Sequence, residues 1–199
     1  KDMWRGPVWI NTAYAVVQGL LRYDRQREAG EIAFRLCQGV YGVFERERHL
    51  YEFYDPDALH TQALRRKDGN WWKALTLGRS PQREFVGWTG LVNNLLLEVL
   101  LGLKLGPDQR SLCPRLPPTC RGMRLEIDLP VAGLYPDRYP ILPPDGPEQS
   151  RPPADPHPCS RFQVRLRMLD NDRFEGSVSH QGKVAHFRAG FAERVPIDL

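Results

Sequence analysis

Proline divides this chain. Fifteen of its 18 Pro residues lie after Lys104, whereas all five Trp residues lie within the first 88 positions. Pro removes a backbone donor and breaks helix interiors, so long helices are confined to the earlier part. The chain has 199 residues, 41% hydrophobic and 26% charged. That is ordinary for a globular protein able to bury a sizeable core. The expected organisation is therefore two differently built halves joined near Lys104.

The first half reads as helical. Pro7 suits a first helical turn, where its missing N–H costs nothing. Ile10, Ala13, Tyr14, Val17, Leu20 and Leu21 then recur at helical spacing, predicting a helix over Val8–Tyr23. A second helix is expected from Glu28 to Glu47, with Gly39 and Gly42 weakening its end. Residues 50–54 form a short aromatic segment closed by Asp55-Pro56, and residues 57–84 read as a polar loop holding a Trp71-Trp72 pair. Phe85–Leu103 reads as a third helix, apolar on nearly every side and so deeply buried. After Lys104 the period changes. Gly122–Pro130 and Phe162–Leu169 alternate apolar and charged residues as half-buried strands do. Phe174–Ser179 and Lys183–Arg188 flank a hairpin turn. Residues 140–158, dense in Pro, read as a linker-like insertion. The fold class expected is α+β: helices, then a small, mostly antiparallel β module.

Charge excludes some functions. The net charge is +4, but residues 1–103 and 104–199 each carry 14 Lys/Arg and 12 Asp/Glu. Neither half has the one-sided basic stripe that drives counterion release, so no nucleic-acid partner is expected. The longest apolar stretch, Leu95–Leu103, is broken by Glu98 and Gly102, so no membrane span is expected in this chain. Cys37, Cys113, Cys120 and Cys159 are scattered, without zinc-like spacing to His. Cys37 reads as a small buried residue, and a Cys113–Cys120 disulfide has no support beyond proximity. His180 reads as a turn residue, and His60, His157 and His186 lack partners in the pattern, so neither metal nor cofactor is expected. Lys1-Asp2-Met3-Trp4 is neither a start context nor a signal peptide, and the expectation is a piece of a longer protein.

Three clusters carry chemistry. Trp4-Arg5-Gly6-Pro7-Val8-Trp9 sets two Trp around a helix start. Either they pack that start, or they offer flat faces to sugar rings, with the Arg5 fork holding hydroxyls or a carboxylate. Tyr51-Glu52-Phe53-Tyr54-Asp55-Pro56 places one carboxylate among aromatics. Such surroundings desolvate an acid, as tuned acid–base groups require; the plain alternative is a Glu on the solvent side of a short strand. Phe85-Val86-Gly87-Trp88-Thr89-Gly90 opens the last helix with glycines that allow close approach to a ligand or to another backbone.

In this order, WRGPVW, two helices, YEFYDP and a helix-opening FVGWTG closely resemble the C-terminal end of glycoside hydrolase family 63, the six-hairpin glycosidases. These include processing oligosaccharide glucosidases and mannosylglycerate hydrolases. The resemblance spans residues 3–103. It implies the last helices of an (α/α)6 barrel, with Val8–Tyr23 and Phe85–Leu103 inner and Glu28–Glu47 outer. It implies that residues 1–103 are the end of a catalytic domain and 104–199 an accessory β module with the 140–158 insertion. It further implies a carbohydrate substrate and inverting hydrolysis of α-glucosidic or α-mannosidic bonds. Glu52 would be the general base; Trp4, Trp9, Arg5, Tyr54 and Trp88 would lie at the sugar. The family's general acid is an Asp on an earlier loop, and only Asp2 precedes the motif here. The 199 residues alone are therefore expected to lack turnover, although the full protein would be a hydrolase. The alternative is a non-catalytic carbohydrate-binding or scaffold protein of the same fold. Residues 67–73 form part of a long stretch that is either a subsite wall bearing Trp71 and Trp72 or a surface loop.

Overall fold

A computed structural model describes residues 6–58, 64, 71–78, 80–106, 109–131, 160–170 and 172–198. Trp4, Arg5, Asp2, Cys159 and the 140–158 insertion lie outside the described residues.

Helix α1 spans Ile10–Arg22. It starts two residues later than the periodicity predicts, for a tertiary reason. Val8 exchanges backbone hydrogen bonds with Tyr54, at 2.9 and 3.0 Å, which holds it extended. Trp9 is then the extended residue preceding the helix. Helix α2 spans Gln26–Glu47 and runs straight through Gly39 and Gly42, ending at Arg48 in the left-handed region. Its buried face is Ala29, Gly30, Ala33, Cys37, Val40 and Val43. That stripe packs on α1 and on the last helix, and tertiary burial outweighs the small helix-propensity cost of Gly.

Residues 57–84 are not all loop. Trp71–Leu77 forms a short helix, α3. The last helix is shorter and less regular than predicted. It opens as a 3₁₀ turn at Trp88–Gly90, continues as α4 over Leu91–Asn94, and widens into a π-helical turn over Leu95–Leu100. Phe85 and Val86 stay outside, because the Phe85 N–H bonds to the Leu50 carbonyl instead. The helix buries Val92, Leu95, Val99 and Leu100 but leaves Asn93 and Glu98 exposed, so it is apolar on one side rather than all round.

The second half is antiparallel sheet, as the alternation predicts. β1 (Lys104–Leu105), β2 (Arg110–Leu112) and β7 (Val195–Pro196) form one small sheet in the order β1-β2-β7. β3 (Arg124–Val131), β4 (Ser160–Met168), β5 (Arg173–His180) and β6 (Lys183–Gly190) form a four-stranded meander. Gln181 and Gly182 both have positive φ and join β5 to β6, as a two-residue turn matched to sheet twist requires. The register puts Phe162, Val164, Leu166 and Met168 of β4 level with His180, Val178, Gly176 and Phe174 of β5. Their shared face is buried, and Arg165 and Arg167 point the other way to pair with Glu126 and Glu175.

Helices and sheets share one hydrophobic cluster, from Ile10 and Val17 to Val178 and Ile197. Arg115 links them. Its side chain bonds Gln26 of α2 and donates to the carbonyls of Val99 and Cys113 at 3.2 and 3.1 Å. A Cβ at Gly30 would overlap the Arg115 carbonyl, so the absence of a side chain there sets how closely the two parts approach. Cys37, Cys113 and Cys120 are free thiols, so Cys113 and Cys120 are not bridged. Among the described residues no helix is long and apolar enough to cross a membrane.

Candidate functional site

Glu52 lies in a bend between two isolated bridges, Val8 with Tyr54 and Tyr51 with Arg83. The short strand anticipated for this segment is therefore only two single-residue pairings. Two segments remote in sequence hold the bend. Glu52 donates its N–H to the Gln82 carbonyl at 3.1 Å. Its own carbonyl accepts from the Trp88 indole N–H at 2.8 Å. The buried Thr89 hydroxyl donates to the neighbouring Tyr51 carbonyl at 2.7 Å.

Aromatic contacts close the cluster. The Trp9 ring lies 5.1 Å from Phe53 and 5.6 Å from Trp88, both tilted. Phe85 also packs on Trp88, with ring centroids 4.4 Å apart. Trp9, Glu52 and Trp88 are each half-buried, with part of each side chain at the surface. The structure thus brings Trp9, Glu52, Tyr54 and Trp88 together, while Trp4 and Arg5 lie outside the described residues.

Tyr54 faces inward. It is buried and edge-on to Tyr51, and its hydroxyl accepts the Tyr51 N–H at 3.0 Å. Burial pushes its hydroxyl up to about 12. The Tyr51 hydroxyl is likewise raised, first by burial and then by the Glu47 carboxylate it donates to at 2.5 Å. Both phenols stay protonated near neutrality and act as fixed donors or acceptors beneath the bend. His49 pairs with Glu84 and sets its ring edge against Tyr51. Sequence reasoning missed Gln82, Arg83, Glu84 and Thr89 as parts of this assembly. Thr89 carried a signal by sitting inside the FVGWTG motif; the others carried none.

An apolar groove of about 390 Å³ adjoins the Val8–Tyr54 bridge, lined by Val8, Ile10, Leu36, Val43, Tyr54 and Pro56. A larger concavity of about 750 Å³ lies on the four-stranded sheet among Arg124, Arg165, Arg167 and Arg188. Neither is lined by Glu52. Among the described residues no three His, Cys, Asp or Glu are grouped as metal ligands.

Comparison with known proteins gives a partial, glycosidase-related likeness. The chain is 41% identical over 56 residues, 27% of its length, to the mannosylglycerate hydrolase of Rubrobacter radiotolerans. It is 26% identical over 109 residues, 48% of its length, to the mannosyl-oligosaccharide glucosidase of Saccharomyces cerevisiae. The chain spans 11% of the length of each of these relatives. No family model matches it, and no solved structure is significantly similar.

Proposed function

We propose that this chain carries the general-base side of an inverting α-glycosidase of the glycoside hydrolase family 63 type. Residues 1–103 are the closing helices of an (α/α)6 catalytic barrel, and residues 104–199 are an accessory β module. The observation that carries this reading is the convergence of three motif segments on the backbone of the bend that bears Glu52. Val8 and Trp9, the Glu52 bend, and Trp88-Thr89 meet through backbone bonds, indole and hydroxyl donors, and ring contacts.

In the reaction, Glu52 takes a proton from a water whose oxygen attacks the anomeric carbon. The glycosidic C–O bond breaks, and a carboxylic acid on the opposite side protonates the departing oxygen. Inverting enzymes set the two carboxyl groups roughly 6.5–9.5 Å apart to make room for that water. The partner acid is an Asp from a part of the whole protein not contained in this chain. Trp9 and Trp88 form the aromatic wall beside the sugar, Tyr54 supports the bend from below, and Trp4 and Arg5 complete the wall. The substrate is an α-glucoside or α-mannoside within an oligosaccharide or a glycosyl-glycerate.

The test is Glu52→Gln in the whole protein. This nearly isosteric change should lower kcat by about 10²–10⁴, the usual worth of general-base assistance, with sugar binding retained. Activity within about tenfold of wild type would remove Glu52 from the role.

A further inference from the structure

We propose that Thr89 is a positioning residue for Glu52, its hydroxyl fixing the peptide unit from which the Glu52 side chain springs. The inference rests on the general-base reading above and names a residue that acts through that base. Thr89 is fully buried at the opening of the last helix. A helical Thr hydroxyl commonly bonds back to the preceding turn of its own helix. Thr89 instead donates to the Tyr51 carbonyl at 2.7 Å, 38 positions away in the chain. Filling the space does not call for a hydroxyl, since Val has nearly the same shape and no polar atom to desolvate.

What that bond holds follows from covalent geometry. The Tyr51 carbonyl and the Glu52 N–H are the two polar groups of one rigid, planar peptide unit. Thr89 holds its carbonyl edge, and the Gln82 carbonyl accepts from its N–H edge at 3.1 Å. The next unit, which carries the Glu52 carbonyl, is held by the Trp88 indole at 2.8 Å. Only the φ and ψ of Glu52 lie between the two planes. Pinning both planes pins both angles, and with them the direction of the Glu52 Cα–Cβ bond. Tyr54 braces the unit before, since its hydroxyl accepts the Tyr51 N–H.

A catalytic group must sit within a fraction of an ångström of its productive place, and a misplacement of about 1 Å can cost about a hundredfold in rate. Without the Thr89 hydroxyl, the unit joining Tyr51 to Glu52 keeps one anchor and can tilt about it, carrying the Glu52 Cβ along. The loss falls on rate rather than on sugar binding, because Glu52 acts on the attacking water.

The experiment follows fluoride release from α-glucosyl fluoride and α-mannosyl fluoride by the whole protein. Fluoride departs with little help from an acid, so its release reports the base side. Thr89→Val should lower kcat by about tenfold to a hundredfold and leave KM nearly unchanged. Thr89→Ser, which restores the hydroxyl, should recover kcat to within about threefold of wild type. Thr89→Cys, a weak donor, should fall between them and serves should the Val variant not fold. Glu52→Gln should cost about 10²–10⁴, and adding Thr89→Val to it should cost no more. All are assayed well below each variant's melting temperature, where a merely structural Thr89 would lower that temperature and leave kcat alone. An unchanged kcat in the Val and Cys variants, a loss confined to KM, a Ser variant as slow as Val, or full additivity with Glu52→Gln would overturn the positioning role. With Glu52→Gln still inactive, each of those results leaves the base assignment standing. Fluoride release by Glu52→Gln within about tenfold of wild type, or none by wild type from either sugar, would instead sink that assignment and the positioning role with it.

Discussion

The Trp88 indole and the Thr89 hydroxyl each donate to a backbone carbonyl of the Glu52 bend. A lost hydrogen bond is modest, but a buried acceptor left unpaired costs about 1–3 kcal/mol. Thr89→Val keeps the shape and removes the donor, so the chain should lose about 1–3 kcal/mol in urea unfolding. Trp88→Phe keeps a ring against Trp9 and should cost about 1–2 kcal/mol, less because that site is only part-buried. His180 at the end of β5 presents the opposite case. It is buried edge-on to Phe162, and among the described residues neither ring nitrogen has a hydrogen-bond partner. Burial, and secondly the nearby Arg110 charge, lower its pKa below the ordinary histidine value of 6.5. The unfolded chain therefore binds this proton more readily than the folded one. Stability from this group is full above about 6.5 and declines as pH falls through the unfolded and then the folded value. The urea midpoint should drop between about pH 7.5 and about pH 5.5, and His180→Leu should flatten that dependence. The sequence showed His180 only as a turn residue, because its burial depends on how the sheet folds over.

At the scale of elements, two glycines separate propensity from packing. Gly19 in α1 has nothing within 4 Å of where a Cβ would stand. Gly19→Ala should therefore stabilise the chain by about 0.5–1 kcal/mol, the ordinary helix gain. Gly30 in α2 lies against the Arg115 backbone, which cannot rotate away as a side chain would. Overpacking there costs about 1–3 kcal/mol or more, which exceeds the helix gain, so Gly30→Ala should lower the melting temperature. Opposite signs from the same substitution are the check. α1, α2 and the four-stranded meander were legible because their signals are local: apolar spacing, alternation and the Gln181-Gly182 turn. α3 was not, because Trp71–Leu77 has too few residues to show a helical period. Nor were β1, β2 and β7, whose two or three residues owe their conformation to pairing across the chain.

For the whole molecule, the decisive feature is that α2 and the β half share one core through Arg115. Cys37 and Cys120 report on the two sides. Burial pushes the first thiol up to about 12 and the second up to about 11, so both should resist alkylation near neutrality in the native chain. In a denaturant series with labelling read residue by residue, both should lose protection at the same midpoint, as one cooperative unit does. Two separated midpoints would mean that the halves fold independently. The exposed Arg27–Asp172 pair also joins the two sides, but its removal should shift that midpoint little. What the sequence determined by itself was the helix-then-sheet order and the three motif segments, since periodicity, Pro and Gly act on the backbone within a few residues. Only the tertiary structure decided that Val8 leaves its helix to pair with Tyr54 and that Trp88, 36 residues from Glu52, holds that residue's carbonyl. Those contacts join residues far apart in the chain, and their geometry exists only once the shared core has brought the segments together.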